Sequence, residues 1–262
     1  MTKLRVKAFE STCVVDEEGR KANLASALAR GLPVCTQLPE RIGSLALVGS
    51  GPSVRDHLNK LKSWDGAIWA VNGAYRYLLD NGVVADFIGM DPLPGLAEYV
   101  DRADERSTFY IASTCDPSVF DKLKDRTVML WHPEAEGMKY PKGEWIIGGG
   151  TTALTRVPYL GMLLGWRKIV LFGADSSFEN GRIYCYDWGT FACDVNNSKV
   201  WIEVNGEGPF QTELGLMKQV AQLGILKENF RDKMEFQCGG LMDAFLRSPV
   251  MDETNLEIEN AV

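Results

Sequence analysis

The sequence predicts an α/β fold of the Rossmann-like, doubly wound kind, with a mostly parallel sheet. Seven short apolar runs lack the strict alternation of half-exposed strands, as expected for strands buried on both faces. Helical stretches separate most of these runs, which is the pattern of βαβ units. The predicted strands cover residues 44–49, 67–72, 85–90, 108–113, 127–132, 144–149 and 168–173.

Helices are predicted between these strands from their apolar periodicity and polar starts. They cover residues 53–62, 73–81, 93–103, 117–124 and 151–164. Pro158 falls inside the last of them and should kink or shorten it, because proline lacks an N–H and clashes with the preceding turn.

After the last core strand, residues 182–206 are strand-like, and Asn196-Asn197 is a turn candidate, so the sequence predicts a β-hairpin excursion there. A long helix at 211–230, a strand at 234–237 and a short helix starting at Gly239-Gly240 follow.

The predicted organisation is one main domain with two flanks. Residues 1–40 form an N-terminal extension with a short helical pattern, residues 41–250 form the Rossmann-like domain that carries the hairpin insertion, and residues 251–262 form an acidic tail.

Composition excludes several classes of function. With 28 Lys+Arg against 35 Asp+Glu the net charge is −7, which argues against a broad basic face for nucleic acid but leaves room for a local basic groove. Two histidines exclude a His-rich metal centre, and six cysteines without a C-x-x-C pair exclude a zinc ribbon, so we expect no metal site of these kinds.

Neither a signal peptide nor a membrane span is seen, which predicts a cytoplasmic protein with reduced cysteines. A homo-oligomer is compatible with the sequence.

Two glycine turns follow predicted strands and open predicted helices. The first comprises Gly49, Ser50, Gly51, Pro52 and Ser53, where glycines allow close backbone approach and helix N–H groups favour an anion. It lacks the third glycine of the dinucleotide fingerprint and the Gly-Lys-Ser/Thr of a Walker loop. The alternative is that its glycines serve only packing.

The second glycine turn repeats this arrangement. It comprises Gly148, Gly149, Gly150, Thr151 and Thr152. Two such turns in one sheet favour a ligand site over packing alone.

Polar residues stand where other strands end, at Asn72, Asp91 and Asp175. Ligands of open α/β sheets bind outside the carboxyl ends of the strands, so these side chains predict a site, although each could instead cap a helix. His132 ends another strand and is a candidate acid or base, or a structural histidine. Near the predicted hairpin, Arg182, Tyr184 and Tyr186 could hold phosphate, or the tyrosines could simply belong to a half-buried hairpin.

Three blocks in this order resemble the 6-hydroxymethylpterin diphosphokinase MptE-like family, over about residues 42–180: LALVGSGPSV, AVNGAYRYLLDNGVVADFIGMDP and GGGTTALTRVPYLGMLLGWRKIVLFGADSSF. The same domain type occurs in motility accessory factors and phage proteins, and it is similar to bacterial sialyltransferases that use a cytidine-monophosphate sugar. The resemblance implies that Gly51-Pro52-Ser53, Asn72 and Gly149-Gly150-Thr151 line a nucleotide site. It also implies that Tyr184 and Tyr186 contact the donor phosphate.

The chain departs from these relatives in its candidate catalytic residues. The segment GMDP offers one acid, and no histidine follows His132. The resemblance therefore implies a nucleotide-binding transferase, more glycosyltransferase-like than diphosphokinase-like, with Asp91, Asp175 or His132 as the base. Its partners would be a nucleotide or nucleotide-sugar donor and a small-molecule or glycan acceptor. The alternatives are a pterin-type diphosphokinase that uses ATP and Mg²⁺, and a non-catalytic nucleotide-binding or assembly protein.

Overall fold

The computed structural model describes residues 4–5, 15–187, 199–247 and 256–257. Its centre is an eight-stranded, all-parallel sheet, so the predicted α/β class is confirmed. The strands are β2 (Ser44–Val48), β3 (Gly66–Val71), β4 (Asp86–Gly89), β5 (Thr108–Ala112), β6 (Thr127–Pro133), β7 (Ile146–Ile147), β8 (Ile169–Phe172) and β11 (Met234–Gln237). A separate pair joins β1 (Leu4–Arg5) to β12 (Leu256–Glu257) in parallel.

Helices cover both faces of the sheet, as the βαβ pattern requires. They are α1 (Glu17–Ala29), α2 (Val54–Lys62), α3 (Gly73–Asp80), α4 (Pro117–Lys122), α5 (Ala153–Leu163), α6 (Leu214–Phe230) and α7 (Gly240–Arg247). Two 3₁₀ helices span Pro94–Val100 and Arg231–Lys233. The prediction of an α-helix at 93–103 is thus corrected to a shorter 3₁₀ helix, in which Gly95 lowers the α-helical propensity. In α5 the chain continues through Pro158, so the proline does not end the helix.

A β-hairpin follows the core strand β8, as predicted, but it lies at residues 199–213 and not at 182–206, and the described residues 182–187 form no strand. It pairs β9 (Lys199–Val204) with β10 (Glu207–Glu213) around Asn205-Gly206, where both residues have positive φ, of 51° and 80°. That is the backbone a two-residue hairpin turn needs, and glycine supplies it more easily than the predicted Asn196-Asn197, which lies outside the described residues. Residues 211–213 belong to β10 and not to the long helix.

The sheet order places the later part of the chain beside its first core strand. The order is β11-β8-β2-β3-β4-β5-β6-β7, so the chain moves outward from β2 to β7, and then crosses back to place β8 on the other side of β2. The strand order therefore reverses between β2 and β8. Such a switch point leaves a crevice at the carboxyl ends of its two strands.

Large aromatic side chains fill the layers between sheet and helices. Trp69, Tyr75, Phe87, Phe109 and Trp131 are fully buried. Burying a side chain of this size stabilises a fold by roughly 1.5–3 kcal/mol, so the sheet has a rigid support. None of the helices in the described parts of the chain is long and apolar enough to cross a membrane.

Residues from the predicted N-terminal extension pack on this core. In α1, Leu24 and Ala27 are buried, and Cys35 donates its backbone N–H to the carbonyl of Leu130 at 2.7 Å. An isolated bridge also pairs Val34 with Leu130. The segment thus contacts the sheet through the middle of β6.

Candidate functional site

A cavity of about 410 Å³ lies at the switch point between β2 and β8. Such a volume lies within the range of small-molecule sites. Seven of the residues predicted for the site line this switch-point cavity: Gly49, Ser50, Gly51, Asn72, Thr151, Thr152 and Tyr184. The two glycine turns and the end of β3 therefore meet at one place.

Ser50 ties the first glycine turn to its neighbours. Its Oγ accepts from the N–H of Ala74 at 3.1 Å and donates to the carbonyl of Val71 at 3.4 Å. Its own carbonyl accepts from the N–H of Cys185 at 2.8 Å. The cavity wall is thus joined across the ends of two strands and to residues 182–187, named here the 182–187 segment.

The start of α2, predicted to attract an anion, already holds one from the chain itself. The carboxylate of Asp175 accepts from the N–H of Ser53 at 2.7 Å and from its Oγ at 2.5 Å, and also from the N–H of Gly239 at 2.8 Å. Asp175 is 3% exposed and follows β8. Helix N-termini favour negative charge, so this carboxylate stabilises the start of α2 and occupies the place that was predicted for a phosphate.

Gly51 is required by the same contact. A Cβ at this position would lie 2.6 Å from the carbonyl oxygen of Gly173 and 2.7 Å from Oδ2 of Asp175. The close approach that the glycine allows is therefore to the end of β8, which matches the packing alternative. Pro52 and Ser53 are buried in this turn.

Asn72 has the most unusual conformation on the cavity wall. It precedes α3 with φ 50° and ψ −126°, and its side chain does not cap that helix. Its Oδ1 is buried and has no hydrogen-bond partner among the described residues. Residues held in such sparsely populated backbone regions concentrate at functional sites. Asn72 thus lines the cavity and carries an enclosed acceptor that no described group uses.

The second glycine turn approaches the cavity only through its threonines. The side-chain carbonyl of Gln222, on α6, accepts from the N–H and the Oγ1 of Thr151 at 2.9 and 3.2 Å. Thr152 forms a capping box with Thr155 at the start of α5. Gly148, Gly149 and Gly150 do not line the cavity. A Cβ on Gly150 would collide with Oε1 of Gln222, so this glycine permits the contact with α6.

The 182–187 segment is held over the cavity by a residue that sequence reasoning missed. The Nε of Arg55, on α2, donates to the carbonyl of Cys185 at 2.8 Å. Tyr184 lines the cavity, and its ring stacks at 5.0 Å on that of Tyr186. Tyr186 packs against Gly73, and burial raises the pKa of its hydroxyl. Arg182 pairs with Asp187 at 2.9 Å and, like Tyr186, is outside the cavity lining.

His132 lies far from this cavity. It is fully buried on β6, four strands from β2, or about 19 Å across the sheet at the usual strand spacing. Its Nδ1 bonds to Oγ of Ser113 at 2.8 Å, and its Nε2 bonds to Oε2 of Glu144 at 2.5 Å. Both ring nitrogens are therefore used inside the protein.

Asp91 follows β4 and is also outside the cavity lining. Its Oδ1 accepts from the N–H of Leu93 at 3.0 Å, and burial raises the pKa of its carboxyl above the ordinary value of 3.8. The folded state therefore holds this proton more tightly than the unfolded state does.

We expect the stability that protonated Asp91 provides to be present below about pH 4 and to be lost as pH rises through its raised pKa. The amide introduced by Asp91→Asn stays neutral at every pH and keeps an acceptor oxygen. The free energy of unfolding of this variant, relative to the natural protein, should hence improve as pH increases, measured by urea denaturation between pH 3 and 7. The exposed Asp125→Asn is the control. A relative stability that does not change with pH would contradict a raised pKa at Asp91.

Sequence reasoning missed the wall that α6 and the end of the hairpin supply. The additional lining residues from this region and from the loop after β8 are Ser176, Ser177, Glu213, Leu214, Gly215, Leu216, Lys218 and Gln219. Ser176 has φ 53°, and its Oγ accepts from Nε2 of Gln219 at 3.1 Å. Glu213 and Lys218 are the charged residues among the lining residues that the structure describes.

Side chains of the described residues alone supply no complete ligand set for a metal ion. Within residues 15–187 and 199–247 no group of three or more His, Cys, Asp or Glu side chains could hold a metal. Asp91, the acid of GMDP, stands alone and engages its own turn.

Comparison with known proteins matches most of the chain to one domain family and to one solved structure. The profile of the family described as "6-hydroxymethylpterin diphosphokinase MptE-like" matches residues 37–181, more than half of the chain. The solved structure of the MAf glycosyltransferase from Magnetospirillum magneticum AMB-1 superposes with a TM-score of 0.65 at 21% identity. The similarity covers 86% of this chain and 37% of that one, so the chain spans just over a third of that protein. A comparison with curated sequences gave no match. By the extent of the family match, this chain belongs to the 6-hydroxymethylpterin diphosphokinase MptE-like family.

Proposed function

We propose that this protein is a nucleotide-binding transferase that moves a glycosyl group from a nucleotide-activated donor, with the nucleotide held in the switch-point cavity. The observation that carries the proposal is Asn72, a strained residue with an unpaired buried Oδ1 on the wall of a cavity at the sheet's switch point. Family membership and a fold shared with a glycosyltransferase support a transferase-like function.

The unpaired acceptor limits what the ligand must present. A buried polar atom without a partner costs about 1–3 kcal/mol. If the Asn72 side chain turns toward the cavity, a ligand that donates a hydrogen bond to its Oδ1 recovers this energy. Ribose hydroxyls and the exocyclic amino groups of bases are donors of this kind. The apolar part of the wall, which includes Val71, Leu154 and Ile183, suits the flat face of a base.

Glu213 is the better placed base for the acceptor hydroxyl. Asp175 is committed to three hydrogen bonds at the start of α2, and Asp91 and His132 are outside the cavity lining. Glu213 lies on the cavity wall directly before α6. A carboxylate there could orient the acceptor and take its proton, which is the task of a general base. The threonines of the second glycine turn and Tyr184 would line the donor.

The proposal is tested by a thermal-shift panel of CMP, CDP, UDP, ATP and a pterin, each with and without Mg²⁺. A ligand at about 100 times its Kd adds roughly 2.7 kcal/mol of stability. For a chain of this size that corresponds to an increase in Tm of about 5–10 °C. We expect such a shift for at least one nucleotide.

Asn72→Gly is the variant that separates binding from folding. Glycine adopts this backbone without strain, so the unliganded variant should be as stable as the natural protein or up to about 1 kcal/mol more stable. The nucleotide-dependent shift should fall by more than half, because the acceptor is gone. Asn59→Ala, exposed on α2, is the control.

Each other outcome identifies an alternative. Mg²⁺-dependent conversion of ATP to AMP with a pterin would show a diphosphokinase. Nucleotide binding without turnover of any donor and acceptor would show a non-catalytic binding protein. A panel without any nucleotide shift would contradict the proposal.

A further inference from the structure

The phosphate of the proposed donor cannot use the helix start where the sequence places it. The N–H and Oγ of Ser53 already bind the carboxylate of Asp175, which is nearly inaccessible to solvent. A phosphate at the same N-terminus would meet this buried negative charge at short range, and like charges in such surroundings repel strongly. A different group must therefore meet the anionic end of a nucleotide in this cavity.

Lys218 is the cation of the cavity. It lies in the second turn of α6, is half-buried and lines the cavity. The other charged lining residue, Glu213, carries the opposite charge. Among the described residues it forms neither an ion pair nor a hydrogen bond, whereas the arginines near the cavity are engaged: Arg55 with Cys185 and Arg182 with Asp187. A solvated ammonium on a cavity wall that is not already paired is available to form a charge-assisted hydrogen bond with an anionic ligand.

We propose that Lys218 binds the donor phosphate, on the α6 wall of the switch-point cavity, and that the first glycine turn does not. This inference rests on the proposed function, because it assigns one end of the same ligand. The base or ribose would then lie toward Asn72, and the phosphate toward α6.

The experiment compares nucleosides with their 5′-monophosphates by isothermal titration calorimetry, in four pairs: cytidine and CMP, uridine and UMP, adenosine and AMP, guanosine and GMP. In the natural protein we expect the preferred monophosphate to bind about tenfold to a hundredfold more tightly than its nucleoside, as a charge-assisted hydrogen bond allows. Lys218→Met should abolish most of this preference and leave nucleoside affinity unchanged. Lys218→Arg should keep it.

Lys124→Met is the matched control, because it removes the same charge at an exposed position after α4. It should leave the phosphate preference intact, and unchanged nucleoside binding serves as a check that the Lys218 variants fold. An unaltered preference in Lys218→Met, or nucleosides that bind as well as monophosphates in the natural protein, would overturn the assignment of Lys218 while the proposed function stands. Absence of binding for all eight compounds would overturn both.

Discussion

Replacing Asp175 with alanine is expected to lower the free energy of unfolding by about 4 kcal/mol, or Tm by about 10 °C. The carboxylate accepts three hydrogen bonds, two from Ser53 and one from Gly239, and is almost completely buried. Alanine leaves these donors unpaired. It also removes the negative charge that compensates the positive end of the α2 dipole. Urea denaturation with far-ultraviolet circular dichroism measures the effect.

Two further variants make this result specific. Asp121→Ala, an exposed carboxylate paired with Arg30, should cost less than about 1 kcal/mol. Asp175→Asn keeps one acceptor and should fall between the natural protein and alanine. If Asp175→Ala proved as stable as Asp121→Ala but lost turnover, the residue would be catalytic and our structural interpretation wrong.

The second large effect is expected for Gly51→Ala, at about 3 kcal/mol of lost stability. The new methyl group would lie 2.6 Å from the backbone carbonyl of Gly173 and 2.7 Å from Asp175. The neighbouring backbone cannot move away cheaply, because Gly51 also donates its N–H to that same carbonyl at 2.9 Å. The first glycine turn must therefore separate from β8.

The same substitution at Gly215 is the control and should have the opposite sign. A Cβ there meets no atom within 4 Å, and the residue lies in α6, where alanine is favoured over glycine by up to about 1 kcal/mol. Urea denaturation of both variants under identical conditions measures the difference in their free energies of unfolding. Equal stabilities of Gly51→Ala and Gly215→Ala would show that the turn tolerates a side chain.

The sequence predicts the strands of the sheet well because buried parallel strands are marked by local composition. Apolar runs such as SLALV and IVLF each predict one strand, β2 and β8 respectively. Their adjacency in space depends on packing between parts of the chain about 120 residues apart, which no local pattern encodes. For that reason Asp175 and Ser53 are each singled out in the sequence, but the hydrogen bonds between them are not predicted.

The candidate site was predictable only where it belongs to the βα turns. Gly49, Asn72 and Thr152 follow strands or open helices, and they line the cavity. The α6 wall is not predicted, because the sequence of this helix contains no motif that marks it as part of a site. One signal was available: Gln219 lies on the same helical face as Leu223 and Leu226, where a polar side chain is unusual. It is buried there because it bonds to Ser176 on the cavity wall.

The hairpin shows how turn chemistry decides between similar candidates. Asn205-Gly206 and Asn196-Asn197 both suit tight turns, but the former includes a glycine for its second positive φ. The structure uses Asn205-Gly206 as the turn. Strand β10 therefore ends at Glu213, directly before α6, and this residue lines the cavity.

The sheet order also determines when the site can form as the chain folds. Strands β2 to β6 each pair with the next strand along the chain, so their contacts close short loops. The pairing of Leu45 with Ile169 closes a loop of about 120 residues, which carries a larger entropic cost and slows folding. During synthesis from the N-terminus, α6 emerges later still. The nascent chain can therefore complete most of its sheet before Lys218, Gln219 and the rest of the α6 wall enclose a ligand.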